Sequence, residues 1–159
     1  NYTFYAITIS YENEDEIHMK LYKSAMVNKE SKLNIKNINT TNIFTLVDLA
    51  ISTSKIKNNI NFTKNYDPSI PEFKLDASSF IKTLNSVFEV FKNKNNVACS
   101  ILLKIGEYIK IDNIKYSLIS VEIVANEESD FSSLNIKETN SFIITYDDSK
   151  VTIDLPLIL

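Results

Sequence analysis

The chain has 159 residues with 17 basic and 20 acidic side chains, for a net charge of −3, which suits one domain over residues 1–159 with length enough to bury a conventional core. Arg, Gln and Trp are missing, and Cys, Gly and His occur once each, at Cys99, Gly106 and His18. These omissions exclude an internal disulfide, a Cys/His zinc site and the glycine-rich loops that cradle phosphates, and without an Arg fork or a basic stripe they argue against a nucleic-acid surface.

Residues 1–22 open with Tyr5, Ile7, Ile9 and Tyr11 alternating with smaller or polar residues. An acidic turn at Glu12–Glu16 follows, and then Ile17, Met19 and Leu21 alternate in their turn. Period-2 alternation on both sides of a turn predicts a β-hairpin. Leu33, Ile35 and Ile38 suggest a short extended piece. Residues 41–56 fit two templates: Ile43, Phe44, Val47, Ala50, Ile51 and Ser54 share a helical face, while Ile43, Thr45, Val47, Leu49 and Ile51 alternate as in a strand. Thr40 or Thr41 as N-cap tips the reading to a second helix. Asn58–Pro71 reads as a loop, rich in Asn and closed by Pro68 and Pro71.

Asp76–Lys92 carries the clearest signal. Phe80, Ile81, Leu84, Val87, Phe88 and Phe91 recur at spacings of three and four, which makes one wide apolar stripe on a long amphipathic helix. Asp76 is placed to cap its N-terminus, and Lys92 and Lys94 stand where the helix dipole favours cations. Val97–Ile105 is nearly continuous apolar sequence and predicts a strand buried on both faces. A turn at Gly106-Glu107, Tyr108–Ile111, a turn at Asp112-Asn113 and Ile114–Val124 form a second hairpin, with a bulge expected near Leu118 and Ile119 where the phase slips. Phe142–Tyr146 and Val151–Leu155 flank an acidic turn as a third hairpin, ended by Pro156. The expected fold is α+β: three antiparallel hairpins in a curved sheet packed on the helix at 76–92.

Little chemistry is on offer. His18 lies mid-strand, Cys99 sits in apolar sequence as an inert thiol, and the acidic turns lack a recognised Ca²⁺ loop spacing. No catalytic residue, metal ligand or cofactor is assigned, and the chain reads as no enzyme. What elimination leaves is a binding module. Its candidate site is an apolar groove between helix and sheet, lined by Phe80, Leu84, Phe88, Phe91, Ile101, Leu103 and Ile119. The competing reading is that the same residues close as core. No apolar run approaches the roughly 20 residues of a membrane span, so a soluble protein is expected, with secretion left open.

AITISYENEDE, the 76–92 helix and the hairpins over 97–155, in an Asn/Ile/Lys-rich chain without disulfides, together resemble the OrfX-type accessory proteins of botulinum-like neurotoxin gene clusters. The resemblance implies a tubular lipid-binding (TULIP) fold, a non-enzymatic accessory role, an apolar or lipid ligand, and partners among proteins of the same cluster. It carries over no functional residue. The alternative is a protein–protein interaction or structural subunit, of a virus, a phage or a complex, with no small-molecule ligand.

Overall fold

The computed structural model describes residues 38–54, 60–131, 134 and 142–159. The elements run β1 (Asn39–Thr41), α1 (Ile43–Thr53), β2 (Asn61–Tyr66), β3 (Phe73–Leu75), α2 (Ala77–Val90), β4 (Asn96–Ile111), β5 (Ile114–Ala125), β6 (Ile143–Tyr146) and β7 (Lys150–Pro156). Five strands form one mixed sheet in the order β2-β4-β5-β7-β6, and β1 pairs with β3 in a separate two-stranded ribbon. The sheet is antiparallel except at β2, which runs parallel to β4. Both helices contribute to the same core cluster as one face of the sheet.

The α+β class holds, with differences. There are two helices, the second where the reading of 41–56 places it. α1 settles the 41–56 ambiguity, because Ile43, Val47, Ala50 and Ile51 are all buried on one side, as a helical period requires. Its cap is Asn42, not Thr40 or Thr41: the Asn42 side chain accepts from the Thr45 amide at 3.1 Å. Thr41 instead belongs to β1. The expected loop at 58–71 contains β2, a strand that hydrophobic alternation could not reveal because NFTKNY buries only Phe62 and Tyr66 in part. Being parallel, β2 joins the sheet through a crossover that includes β3 and α2, so the fold is not three hairpins on one helix. Of those hairpins, β4–β5 and β6–β7 are present. The one expected over 5–22, with His18 and the acidic turn at 12–16, lies outside the described residues.

α2 forms where its stripe predicts. Asp76 caps it by accepting from the Ser79 amide at 3.1 Å and the Ser79 hydroxyl at 2.9 Å. Phe80, Leu84, Val87 and Phe88 point into the core, and Phe91 follows as the C-cap, fully buried. The opposing surface is the inward set of three strands: Val97, Cys99 and Ile101 of β4, Ile119, Val121 and Ile123 of β5, Val151, Ile153 and Leu155 of β7. Over 97–102 β4 is fully buried on that face only; Ala98, Ser100 and Leu102 on the other are partly exposed, so the continuous apolar run overstated its burial there, whereas past the bulge Ile109 and Ile111 are buried in a second cluster with Leu118.

The β4–β5 hairpin turns at Asp112 and Asn113, with φ of 49° and 65°. Two consecutive positive φ values are those of a type I′ turn, whose twist suits a two-residue hairpin. The irregularity expected near Leu118 is present but carried by the partner strand: register jumps from Lys104↔Leu118 to Tyr108↔Ser117. Ile105, Gly106 and Glu107 are the extra residues, and Gly106, at φ 83°, supplies the left-handed conformation inside a continuous β4 rather than a turn between two strands.

Two stability outcomes follow. Phe88→Ala should cost ~3–5 kcal/mol by urea unfolding, as for other fully buried aromatics. Gly106→Ala should cost only ~1–2 kcal/mol, the backbone strain of a side chain at positive φ, because nothing lies within 4 Å of the added Cβ.

Candidate functional site

The structure brings the seven groove residues together as packed side chains. Phe80, Leu84, Phe88, Phe91, Ile101 and Ile119 are at most 1% exposed in one core cluster, and Leu103 packs against it partly buried. Three of the phenylalanines meet rings from other segments edge-on: Phe80 with Phe142, Phe88 with Phe62, and Phe91 with Phe131. Edge-to-face pairs add to what area burial alone contributes.

The polar chemistry gathers elsewhere, beyond the C-terminal end of α2. There the segment 126–131, leaving β5, is held against the turn between β6 and β7. The Ser129 amide donates to the Asp148 carbonyl at 2.7 Å, and the Ala125 amide to the Ser149 carbonyl at 2.9 Å. From the helix side, the Lys94 ammonium donates to the Glu128 carbonyl and lies 3.7 Å from the Glu127 carboxylate. The Lys94 side chain is only 17% exposed, so this contact is better shielded than a typical surface ion pair. Phe131 bridges inward to Phe91 and outward to Tyr146, whose ring centroid is 5.2 Å away. Tyr146 is 59% exposed.

Ser129 gives this seam its most unusual feature. Its hydroxyl is buried without a hydrogen-bond partner, and among the described residues it is the one side-chain polar atom in that condition. Buried hydroxyls are normally satisfied. The seam therefore combines an exposed aromatic ring, a part-buried ammonium and an unused hydroxyl, which are the groups that hold a planar ring and its anionic substituents. Among the described residues no group of three or more His, Cys, Asp or Glu is placed to hold a metal ion.

Sequence reasoning missed this site. Along the chain Lys94 reads only as a cation that the helix dipole favours. Lys94, Ser129 and Tyr146 belong to three segments far apart in the chain, and no spacing links them.

Two other polar clusters belong to the sheet. Asp48 of α1 accepts from the Lys64 ammonium and the Tyr66 hydroxyl of β2, both at 2.9 Å, and Phe44 stacks on Tyr66. This braces the parallel edge strand against α1. Burial, then Cys99 and the Asp48 contact, push the Tyr66 hydroxyl well above the ordinary phenol range, so it stays a donor. On the face away from the helices, Ser120 and Asp154 meet in a buried contact.

No protein-family model matches the chain, and no curated protein matches it. Solved structures do. A histidine kinase of Acinetobacter baumannii, AdeS, superposes with a TM-score of 0.54 at 8% identity, covering 92% of this chain and 87% of that one. The catalytic domain of histidine kinase ThkA, in a nucleotide-free form, gives 0.50 at 15% identity, covering 76% of this chain and 97% of that one. At such identities the likeness is one of fold.

That likeness overturns the resemblance to OrfX-type proteins. The fold is the one seen in histidine kinase catalytic domains, not a TULIP tube: two helices and the sheet close on each other, and a parallel strand enters by a crossover. The lipid-binding accessory role, the lipid ligand and the toxin-cluster partners rested on that resemblance and fall with it. The reading as no enzyme also falls, because a missing His or glycine loop does not argue against catalysis on a fold that catalytic domains of kinases share. Among the described residues no helix is long and apolar enough to cross a membrane.

Ser129→Ala removes a buried hydroxyl that has no partner. It should leave stability unchanged or raise it by up to ~1–3 kcal/mol, measured by urea unfolding without ligand. Burial is the main cause that pushes the Cys99 thiol up to about 12, opposed by Lys64 and helped by Asp48. Iodoacetamide at about pH 8 should therefore leave Cys99 unmodified in the folded protein and alkylate it on unfolding, read by mass spectrometry.

Proposed function

We propose that this chain is a nucleotide-binding domain of the kinase catalytic type, receiving an ATP-class nucleotide at the seam of α2, residues 126–131 and the β6–β7 turn. The observation that carries this reading is the likeness to a histidine kinase over 92% of the chain at a TM-score of 0.54. The chemistry of the seam supports it. A base stacks on the exposed ring of Tyr146, since aromatic rings accept any base through its π-face. With no Arg and with Gly106 far away in the β4 bulge, the phosphates are held by ammonium groups as point charges rather than by a glycine-lined loop. Lys94 is the shielded ammonium of the seam. Lys92 stands close by in the chain, paired with Glu89 at 2.8 Å on the surface. The helix end itself presents carbonyls, which repel phosphate, so these lysines are needed there. Ser129 supplies a hydroxyl that donates to a ligand oxygen.

The activity class this supports is transfer of the terminal phosphoryl group of the nucleotide to an acceptor. Such transfer depends on positioning and on charge stabilisation more than on a covalent nucleophile. That no Ser–His or Cys–His pair stands among the described residues therefore does not count against it.

Titration calorimetry with Mg-ATP should give saturable binding, and Tyr146→Ala should weaken it about 5- to 150-fold, the equivalent of one lost base–aromatic stack of ~1–3 kcal/mol. Lys94→Met should weaken ATP more than adenosine, because it removes charge and keeps the apolar stem. A folded protein that takes up no Mg-ATP at millimolar concentration would sink the reading.

A further inference from the structure

We propose that Asp154, buried against Ser120 between β5 and β7, is a proton-sensitive latch: the two strands are held more firmly when Asp154 carries a proton and are loosened by the cost of a buried charge when it is ionised, although the Ser120 hydroxyl itself bonds the charged form better. The two residues stand directly opposite in the β5–β7 register, and the Ser120 hydroxyl is 2.9 Å from the Asp154 carboxylate. Both are buried, on the sheet face turned away from the helices. Apolar neighbours close around them: Leu118 lies opposite Pro156, and Ile143 of β6 lies opposite Asp154, and both Leu118 and Ile143 are buried.

The charges facing Asp154 leave it poorly compensated. β4 brings Lys104 and Glu107, and β5 brings Glu122. From β6, among the described residues, the register partner is Ile143, which has no charge. The Lys104 ammonium is already engaged by the Glu122 carboxylate at 3.1 Å. Ionising Asp154 therefore places another negative charge beside two carboxylates whose one nearby cation is already bound. Burial is the largest cause holding the Asp154 carboxyl up at about 6; the Ser120 hydrogen bond and Lys104 oppose it, and Glu107 and Glu122 add to it.

The sign follows by linkage. A carboxyl whose folded value lies above its unfolded value binds protons more tightly when folded, so it favours folding in acid. That contribution is complete below the unfolded value near 4 and is lost as pH rises through about 6. The latch also acts at a distance from itself. β7 emerges from the turn whose Asp148 and Ser149 carbonyls hold the Ser129 and Ala125 amides, so loosening β7 on β5 frees the backbone that carries residues 126–131. Proton uptake at the sheet thereby tightens the anchoring of that segment, whatever it binds.

The test is thermal unfolding of the ligand-free chain between about pH 5 and pH 8, beside Asp154→Asn, which keeps the shape of the neutral acid. The wild type should lose several degrees of Tm more than the variant over that interval. At about pH 8 the variant should melt roughly 4–8 °C higher. Equal pH slopes in the two proteins would overturn the proposal. A second readout does not depend on the variant folding well: carboxyl carbon NMR of the wild type should show Asp154 titrating near pH 6, and the midpoint should rise in Ser120→Ala, which removes the donor that favours the charged form. A midpoint near 4, or one that falls in Ser120→Ala, would also overturn it. None of these measurements uses a nucleotide, so they fail or succeed independently of the proposed function.

Discussion

The burial of the apolar stripe of α2 against the inward faces of β4, β5 and β7 is the interaction on which the rest of the structure depends. Phe80, Leu84, Val87, Phe88 and Phe91 meet the alternate residues of three adjacent strands, and the cluster they form takes in α1, β2 and β3 as well. Each large ring buried there is worth on the order of 3–5 kcal/mol against its truncation, a large share of the roughly 5–15 kcal/mol that holds a domain folded. Other features take their positions from it. The end of α2 delivers Phe91 and Lys94 to the seam, and Phe91 in turn sets Phe131 and, through it, Tyr146.

The same packing explains why a groove reading and a core reading looked alike along the chain. A wide helical stripe and three alternating strands are required in both cases. Which one forms depends on whether the rings of separate segments reach each other. Here Phe62, Phe142 and Phe131 each approach a phenylalanine of α2 edge-on, with centroids 5.7–5.9 Å apart.

The composition constrains the chemistry of the proposed site without removing it. A chain with one glycine cannot build a glycine-rich phosphate loop, and a chain without arginine cannot offer the bidentate guanidinium fork. Ammonium groups on flexible stems remain. They bind phosphate by charge with less geometric definition, and their effect is screened by salt when they are exposed. A shielded lysine such as Lys94 is therefore of more use than the many lysines spread over the surface. The sheet face away from the helices follows a similar economy: one ammonium, Lys104, is held by Glu122, and Asp154 is left with a hydroxyl for its partner.

Local signals were legible in the sequence because local physics produces them. The stripe and the Asp76 cap of α2, the Asp112-Asn113 turn, the hairpin plans of β4–β5 and β6–β7 and the strand end at Pro156 all depend on residues near one another in the chain. The sequence by itself thus determined the α+β class, most of the core and the shortage of nucleophilic and phosphate-cradling groups. Tertiary structure alone decided that polar NFTKNY is a strand, because its parallel pairing with β4 is a long-range backbone match that needs no hydrophobic alternation. It decided that the bulge falls on β4, since register belongs to a pair of strands and not to either one. It also decided that Lys94, Ser129 and Tyr146 share one seam and that Asp154 is buried against Ser120. Both are proximities between segments far apart in sequence, fixed only when the sheet closes on its helices.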